Sequence, residues 1–298
     1  MIARVSSGWL AMPGMVRGPL LMTASVASFS AANLLIKFLG SAVPALEVTF
    51  IRFLIGWVTI GFFLPSAGLA ALRTHRAGAY FWRGLLSMTG TAIMFYALTV
   101  LPLAEVTVYN FTRGLFLVVL AALLLGERLR WRRITATVIG FVGVVVAMRP
   151  QAGIDPIALL VLLNAFMGAV VWVLIKKMMR TEAPFTVLFY HGMSTTLLAL
   201  LPAIYVWVTP TLPQFLLLIV IGILSTLAQS FQVRAFRVAD ATVLSPLDYL
   251  QLLFSSVFGF LFFAELPGLW TWIGAALIVA ANIYITLREN HLRRQVQQ

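Results

Sequence analysis

The sequence predicts an all-α polytopic membrane protein, with ten transmembrane helices arranged as a 5+5 inverted repeat. Three observations carry this prediction. Of 298 residues, 61% are hydrophobic and only 10% are charged, and the mean hydropathy is +1.00. A soluble domain carries about a quarter charged residues, and a chain of this size has no interior that could hide so much apolar surface. A water-soluble enzyme is therefore excluded, and so is a disordered chain, which would be charge-rich and apolar-poor. Second, the apolar residues fall into ten windows near the length of about 20 residues that a membrane helix needs. They are unbroken runs, not the alternating strands of an outer-membrane barrel. Third, the two halves of the chain repeat one another.

The windows run Pro19–Leu39, Pro44–Pro65, Tyr80–Leu101, Leu103–Leu125, Arg132–Met148, Pro156–Met178, Phe185–Val208, Pro213–Phe236, Ala241–Phe263 and Leu269–Leu287. The first has small residues, Ala31-Ala32, near its end, as a cleaved signal would. It is too long for one and carries Thr23, Ser25, Ser28, Ser30 and Asn33, so it reads as a retained helix. The second opens with Glu47, which suits a helix N-terminus, and holds Arg52 about one turn further on, within reach for pairing. Ser87 and Thr91 follow one face of the third, as in close helix packing. The fourth starts with Glu105 and has Arg113 at its middle. The sixth contains Trp172 and the seventh His191. Ser225, Gln229 and Gln232 follow one face of the eighth, and the ninth contains Pro246 and Asp248. Glu127 and Glu265 end the fourth and ninth windows and read as structural, bonded by the following loop.

Formal net charge is +12. In a soluble chain that would point to nucleic acid; here the placement of the charges explains it. With the N-terminus in the cytoplasm, alternate connections collect 17 of the 21 Lys and Arg, among them Arg73, Arg76 and Arg83. The opposite side receives Lys37 and Arg149, and Arg52 and Arg113 lie within spans. Basic loops stay cytoplasmic, so both termini are expected in the cytoplasm and no nucleic-acid partner is expected. The segments are 1–17 (cytoplasmic), 18–149 (first repeat), 150–288 (second repeat) and 289–298 (cytoplasmic tail).

The stretch ALTVLPLAEVTVYNFTRGLFLVVLAALLLGERL from Ala97 aligns without gaps to AFRVADATVLSPLDYLQLLFSSVFGFLFFAEL from Ala235, at an offset of 138. Ile36-Lys37 with Pro44 matches Ile175-Lys176 with Pro184. Five helices per repeat is an odd number, so the halves cross in opposite senses. Such repeats belong to transporters, whose site lies near the midplane between the halves. The 5+5 plan, with the LLLGERL and LFFAELPGLWTWIGAALIVA endings, resembles the EamA branch of the drug/metabolite transporter superfamily over nearly the whole chain. The motif RVADATVLSPLDYLQLLFSSVFGFLFFAE is similar to that of bacterial members that export aromatic and other amino acids, or that carry S-adenosylmethionine or riboflavin. The resemblance implies an ATP-independent carrier of small organic metabolites in the bacterial inner membrane.

Charges inside a membrane are costly, about 2.5–3.5 kcal/mol on insertion scales, and find a partner or a cavity. Under the 138 offset Asn110 matches Asp248 and Arg113 matches Gln251, each pair on one helix face. Two readings follow. In one, Arg113 binds a carboxylate through its planar fork and Asp248 binds an ammonium, so that a zwitterionic amino acid satisfies both. In the other, Arg113 and Asp248 form a direct salt bridge that holds two helices together. Asn110, Gln251, Asn33, Trp172, Gln229, Gln232 and Tyr249 are candidates to complete the pocket. Pro246, which frees a backbone carbonyl, is a candidate hinge, and His191 a candidate proton carrier.

With no Cys, no HExxH and no Walker A motif, no metal, cofactor or enzymatic chemistry is expected. The expected function is secondary transport of small metabolites by alternating access, with export of aromatic or other neutral amino acids first. Uptake or exchange of S-adenosylmethionine, riboflavin or nucleosides is the alternative. A channel usually needs a symmetric oligomer, whereas a 5+5 chain makes its own site, so a monomer in the bilayer suffices.

Overall fold

The computed structural model describes residues 14–62, 64, 68, 72–74, 76–125, 131–148, 155–178, 181–238, 244 and 247–297. Among them are ten α-helices and no strand. They are α1 (Gly14–Leu39), α2 (Ala45–Gly61), α3 (Ala77–Val100), α4 (Leu103–Leu125), α5 (Trp131–Met148), α6 (Pro156–Met178), α7 (Pro184–Tyr205), α8 (Leu212–Val238), α9 (Leu250–Phe263) and α10 (Leu269–Gln297). Five carry spans long and apolar enough to cross a membrane: Arg17–Ala42, Leu103–Leu120, Pro156–Ile175, Phe185–Tyr205 and Leu212–Gln232. Shorter apolar helices cover Ile134–Met148, Leu250–Phe263 and Leu269–Tyr284.

Packing follows the repeat. Helices α1–α5 have counterparts in α6–α10, and α2 packs on α7, α4 on α9 and α5 on α10. Among the other contacts, α1 on α8 mirrors α6 on α3, and α2 on α8 mirrors α7 on α3. Glycines mark the equivalent close approaches. A Cβ on Gly84 of α3 would come within 2.6 Å of the Ser194 hydroxyl on α7, and one on Gly222 of α8 within 2.9 Å of Ile55 on α2. Gly84 and Gly222 are separated by the same 138 residues that align the repeats.

Helices α5 and α10 make the tightest crossing. Four of the buried residues of α5, Ala136, Gly140, Gly143 and Ala147, recur at helical spacing and are small. Ile134, Val138, Ile139, Val142 and Val145 point outward, where lipid covers them. A Cβ on Gly274 of α10 would lie 2.5 Å from the Gly143 carbonyl oxygen. Asn282 of α10 donates to the Phe111 carbonyl of α4 at 3.3 Å, which ties this pair to the rest of the bundle.

Polar contacts gather at the two ends of the bundle. At one end Lys37 pairs with Glu265 and donates to the Leu101 carbonyl at 2.8 Å, while Glu265 accepts from the Leu103 amide at 3.1 Å. Ala264, with φ 54°, turns the chain out of α9 and directs Glu265 back across α4. Glu265 is thus structural, as expected, but its partners come from α1 and the α3–α4 junction, not from the loop that follows it. Glu47 at the same end accepts from the Val208 amide at 3.1 Å. The expected Glu47–Arg52 pair does not form; Arg52 lies instead over the rings of Phe53 and Phe95, 4.9 and 5.6 Å from their centroids. At the other end Glu182 accepts from Tyr80 and from Thr74, and the Tyr190 hydroxyl donates to the Leu72 carbonyl at 2.6 Å. Arg83 is no loop residue. It sits buried in the second turn of α3 and donates to the Val187 carbonyl of α7 at 2.9 Å.

Lys37→Met should lower thermal stability in detergent markedly, because it strands Glu265. Breaking a buried pair on one side costs about 3–5 kcal/mol. Adding Glu265→Gln should restore part of the loss, since an amide oxygen still accepts from Leu103 and needs no cation. Melting of the two variants by tryptophan fluorescence checks this.

The ninth window needs correction. Predicted as one helix over Ala241–Phe263, it contains a continuous helix only from Leu250, with Tyr249 as its cap residue. Leu247 and Asp248 are helical too, and Tyr249, which joins them to α9, keeps right-handed helical dihedrals of φ −71° and ψ −13°, so Asp248 lies just before the regular start of α9. The proline two positions earlier supplies no backbone N–H for a helix to use. Pro246 itself lies outside the described residues.

Candidate functional site

Arg113 sits halfway along α4 and is half-buried. Its Nη2 donates to Asn110 Oδ1 at 3.5 Å, one turn earlier on the same face. Its Nε is buried and without a partner among the described residues. The guanidinium lies flat against α6, where a Cβ on Gly168 would come within 2.7 Å of Nε. Gly168 is thus the gap that admits the arginine.

Asn110 is the hub. Its amide nitrogen donates to the Val106 carbonyl at 3.0 Å and to the Met94 sulfur of α3 at 2.9 Å. Its Oδ1 also accepts from Asn164 Nδ2 of α6 at 2.9 Å. Asn164 in turn reaches Gly90 of α3, where a Cβ would meet its Oδ1 at 2.6 Å. The symmetry-related helices α1 and α8 make a comparable contact: Ser25 donates to the Ala228 carbonyl at 2.7 Å. Sequence reasoning missed Asn164 and Gly168. A lone Asn in the apolar run LLVLLNAFMGAV was the available signal for the first.

Helices α4 and α9 cross antiparallel through Thr107, which donates to the Ser255 hydroxyl at 2.8 Å. Equal steps down α4 and up α9 from that contact bring Arg113 level with Tyr249, next to Asp248. The rings of Phe111 and Tyr249 meet edge to face at 5.1 Å, in the same register. Among the described residues Arg113 and Asp248 make no ion pair within 4.0 Å. Gln251 is half-buried in the first turn of α9.

Trp172 stands one turn beyond Gly168 on the same face of α6, opposite to the outward face of Leu159, Leu163 and Phe166. It nevertheless keeps 38% of its surface exposed. Asn33 is buried in α1. Gln229 belongs to a second, smaller place. With His191, Trp57 and Thr226 it lines a cavity of ≈ 50 Å³ between α2, α7 and α8. The ring of His191 packs edge to face on Phe53 at 5.6 Å, and neither its Nδ1 nor Trp57 Nε1 has a partner. Gln232 lies half-buried one turn beyond Gln229. A wider groove of ≈ 440 Å³ between α5 and α10 has no charged lining residue.

Gly168→Ala should leave the protein folded but push the Arg113 guanidinium off α6, since the added carbon overlaps Nε. Transport should fall by about tenfold or more, as small misplacements of a binding group cost that much. Equal detergent melting with reduced uptake into proteoliposomes is the expected pair of results.

Two five-helix repeats of opposite sense in an apolar, membrane-spanning chain are the architecture of a small-molecule transporter. The chain belongs to the EamA-like transporter family, of the drug/metabolite transporter superfamily, whose profile matches residues 16–149 and 155–287. It is 32% identical over 266 residues to an S-adenosylmethionine uptake transporter of Rickettsia bellii, covering 89% of this chain and 91% of that one. It is 30% identical to a riboflavin transporter of Brucella anthropi, covering 92% and 99%. It is 29% identical to a pseudopaline exporter of Pseudomonas aeruginosa, covering 90% and 95%. A crystal structure at 24% identity shares the fold, with TM-score 0.62 over 91% of this chain and 97% of that one. The protein is a multi-pass membrane transporter and not an enzyme.

Proposed function

We propose that this transporter moves metabolites carrying an α-amino-acid group, by alternating access about the α4–α9 crossing. Arg113 holds the carboxylate and Asp248 the ammonium. The observation that carries the reading is that these two charges stand at one level of the α4–α9 crossing without an ion pair, so a zwitterion fits between them. Asn110 orients Arg113, and Asn164 orients Asn110. Trp172 and Tyr249 offer flat faces to the remainder of the substrate, while Gln251, Asn33, Gln229 and Gln232 supply hydrogen bonds along its path. S-adenosylmethionine, which a relative takes up, has an α-amino-acid end and joins the aromatic amino acids as a test substrate. Relatives named for uptake and for export both exist, so the direction proposed from sequence, export, is an independent part of the reading.

Two further assignments complete it. The chain lies in the inner membrane with both termini cytoplasmic, because the Lys- and Arg-rich connections all fall on one side. His191 carries the coupling proton: its Nδ1 has no hydrogen-bond partner among the described residues, and the residue borders a cavity of ≈ 50 Å³. The test is counterflow of labelled phenylalanine and S-adenosylmethionine into proteoliposomes. Saturable exchange of at least one, competed by the other, is expected. Exchange of riboflavin with neither amino acid competing would overturn the zwitterion site.

A further inference from the structure

Arg52 is the deep charge that the zwitterion site leaves unanswered. Other buried charges near the bundle ends have partners. Lys37 meets Glu265, Arg83 meets the Val187 carbonyl, and Glu47 meets the Val208 amide. Arg52 has no acid within ion-pair distance among the described residues, and its close contacts are the two ring faces of Phe53 and Phe95. It does not face lipid. The next turn of α2 is packed on α8, with Ile55 against Gly222 and Gly56 against Thr226, and Phe53 packs on His191 of α7. Arg52 thus lies between α2 and α3, over Phe95, and is half-buried.

The deep interior of the described bundle therefore carries two arginines, Arg52 and Arg113, against one acid, Asp248. A plain zwitterion leaves that imbalance untouched. A substrate with one more negative group removes it. Arg52 reaches α3 directly, and Arg113 reaches it through Asn110. Arg52 lies over Phe95, and Asn110, which holds Arg113, donates to Met94. One small molecule with two acid groups can therefore engage both. Aromatic faces hold an arginine in place while leaving its hydrogen-bonding edge free for a ligand.

We propose that Arg52 is a second anion subsite, and that the preferred substrate is an α-amino acid bearing an additional acidic group. This rests on the reading of Arg113 and Asp248 given above. The side-chain acid meets Arg52 while the α-carboxylate and ammonium occupy the first site.

The test uses wild-type proteoliposomes and two acid/amide pairs of near-identical shape: glutamate with glutamine, and 4-carboxyphenylalanine with 4-carbamoylphenylalanine. In at least one pair the acid should show a KM about tenfold or more below that of its amide, as a charge-assisted bidentate contact implies. Arg52→Gln should remove that ratio, and Arg52→Lys should keep part of it. A wild type that treats acid and amide alike in both pairs overturns the Arg52 subsite and leaves the zwitterion site standing. So does an Arg52→Gln variant that keeps the wild-type ratio, which would make Arg52 a packing residue. A monodisperse wild type that exchanges no member of either pair overturns both. The wild-type ratio decides even where Arg52→Gln does not fold.

Discussion

Arg113→Lys should abolish saturable exchange, although it keeps the charge. Lysine offers a compact ammonium where the site presents a planar fork laid against Gly168 and steadied by Asn110. It cannot make the two parallel bonds that a carboxylate accepts from a guanidinium. A loss of about 100-fold in kcat/KM, near 2.7 kcal/mol, is expected, since each tenfold corresponds to about 1.4 kcal/mol. Counterflow with folded variant and wild type side by side measures it. Near-normal exchange by Arg113→Lys would remove Arg113 from the binding site and make it a helix-pairing charge. Asp248→Asn should weaken binding by its own route, through loss of the ammonium's partner. Combined with Arg113→Lys it should cost less than the sum, because both contacts serve one ligand.

Gly274→Leu should be the most damaging substitution for the fold. Any Cβ at this position meets the Gly143 carbonyl oxygen at 2.5 Å and the Ala147 Cβ at 2.6 Å. Two of these are backbone or backbone-adjacent atoms with no rotamer to change, so α5 and α10 must separate. Overpacking a well-filled interface costs about 1–3 kcal/mol, and displacing two helices belongs at the top of that range. The α5–α10 pair packs on α4 beside Arg113, so the expected result is early melting and aggregation on size exclusion. Gly68 provides the contrast: it is in the left-handed region, at φ 77°, with open space around it. A substitution there is strained by backbone geometry and not by crowding.

Much of the helical plan was legible before any coordinates. The windows Leu103–Leu125 and Pro156–Met178 coincide with α4 and α6, because a proline next to each start and a drop in hydropathy mark them. The 138 offset reappears in the packing as the matched glycines Gly84 and Gly222. In the ninth window the regular helix begins only at Leu250, after the single turn residue Tyr249, a detail that hydropathy does not carry. Arg83 failed for another. A cation near a helix end reads as a loop charge, yet here α7 supplies a carbonyl that lets it be buried. The Glu47–Arg52 pairing failed because spacing along one helix says nothing of the ring on α3 that competes for the arginine.

The candidate site divides in the same way. Arg113, Asn110 and Asp248 could be picked out singly, since a polar group in an apolar run is costly wherever the helix points. Their company could not. Asn164 reaches Asn110 across 54 residues, and Gln229 joins His191 instead of the arginine. Span number, repeat and sidedness are properties of the chain taken one stretch at a time, because a bilayer imposes one length, one polarity and one charge bias on every crossing. Which deep charges meet, which remain open to a ligand, and which glycine makes room for an arginine depend on the rotation of each helix about its axis and on the crossing of α4 with α9. Those are set by long-range packing of side chains, and only the folded bundle contains them.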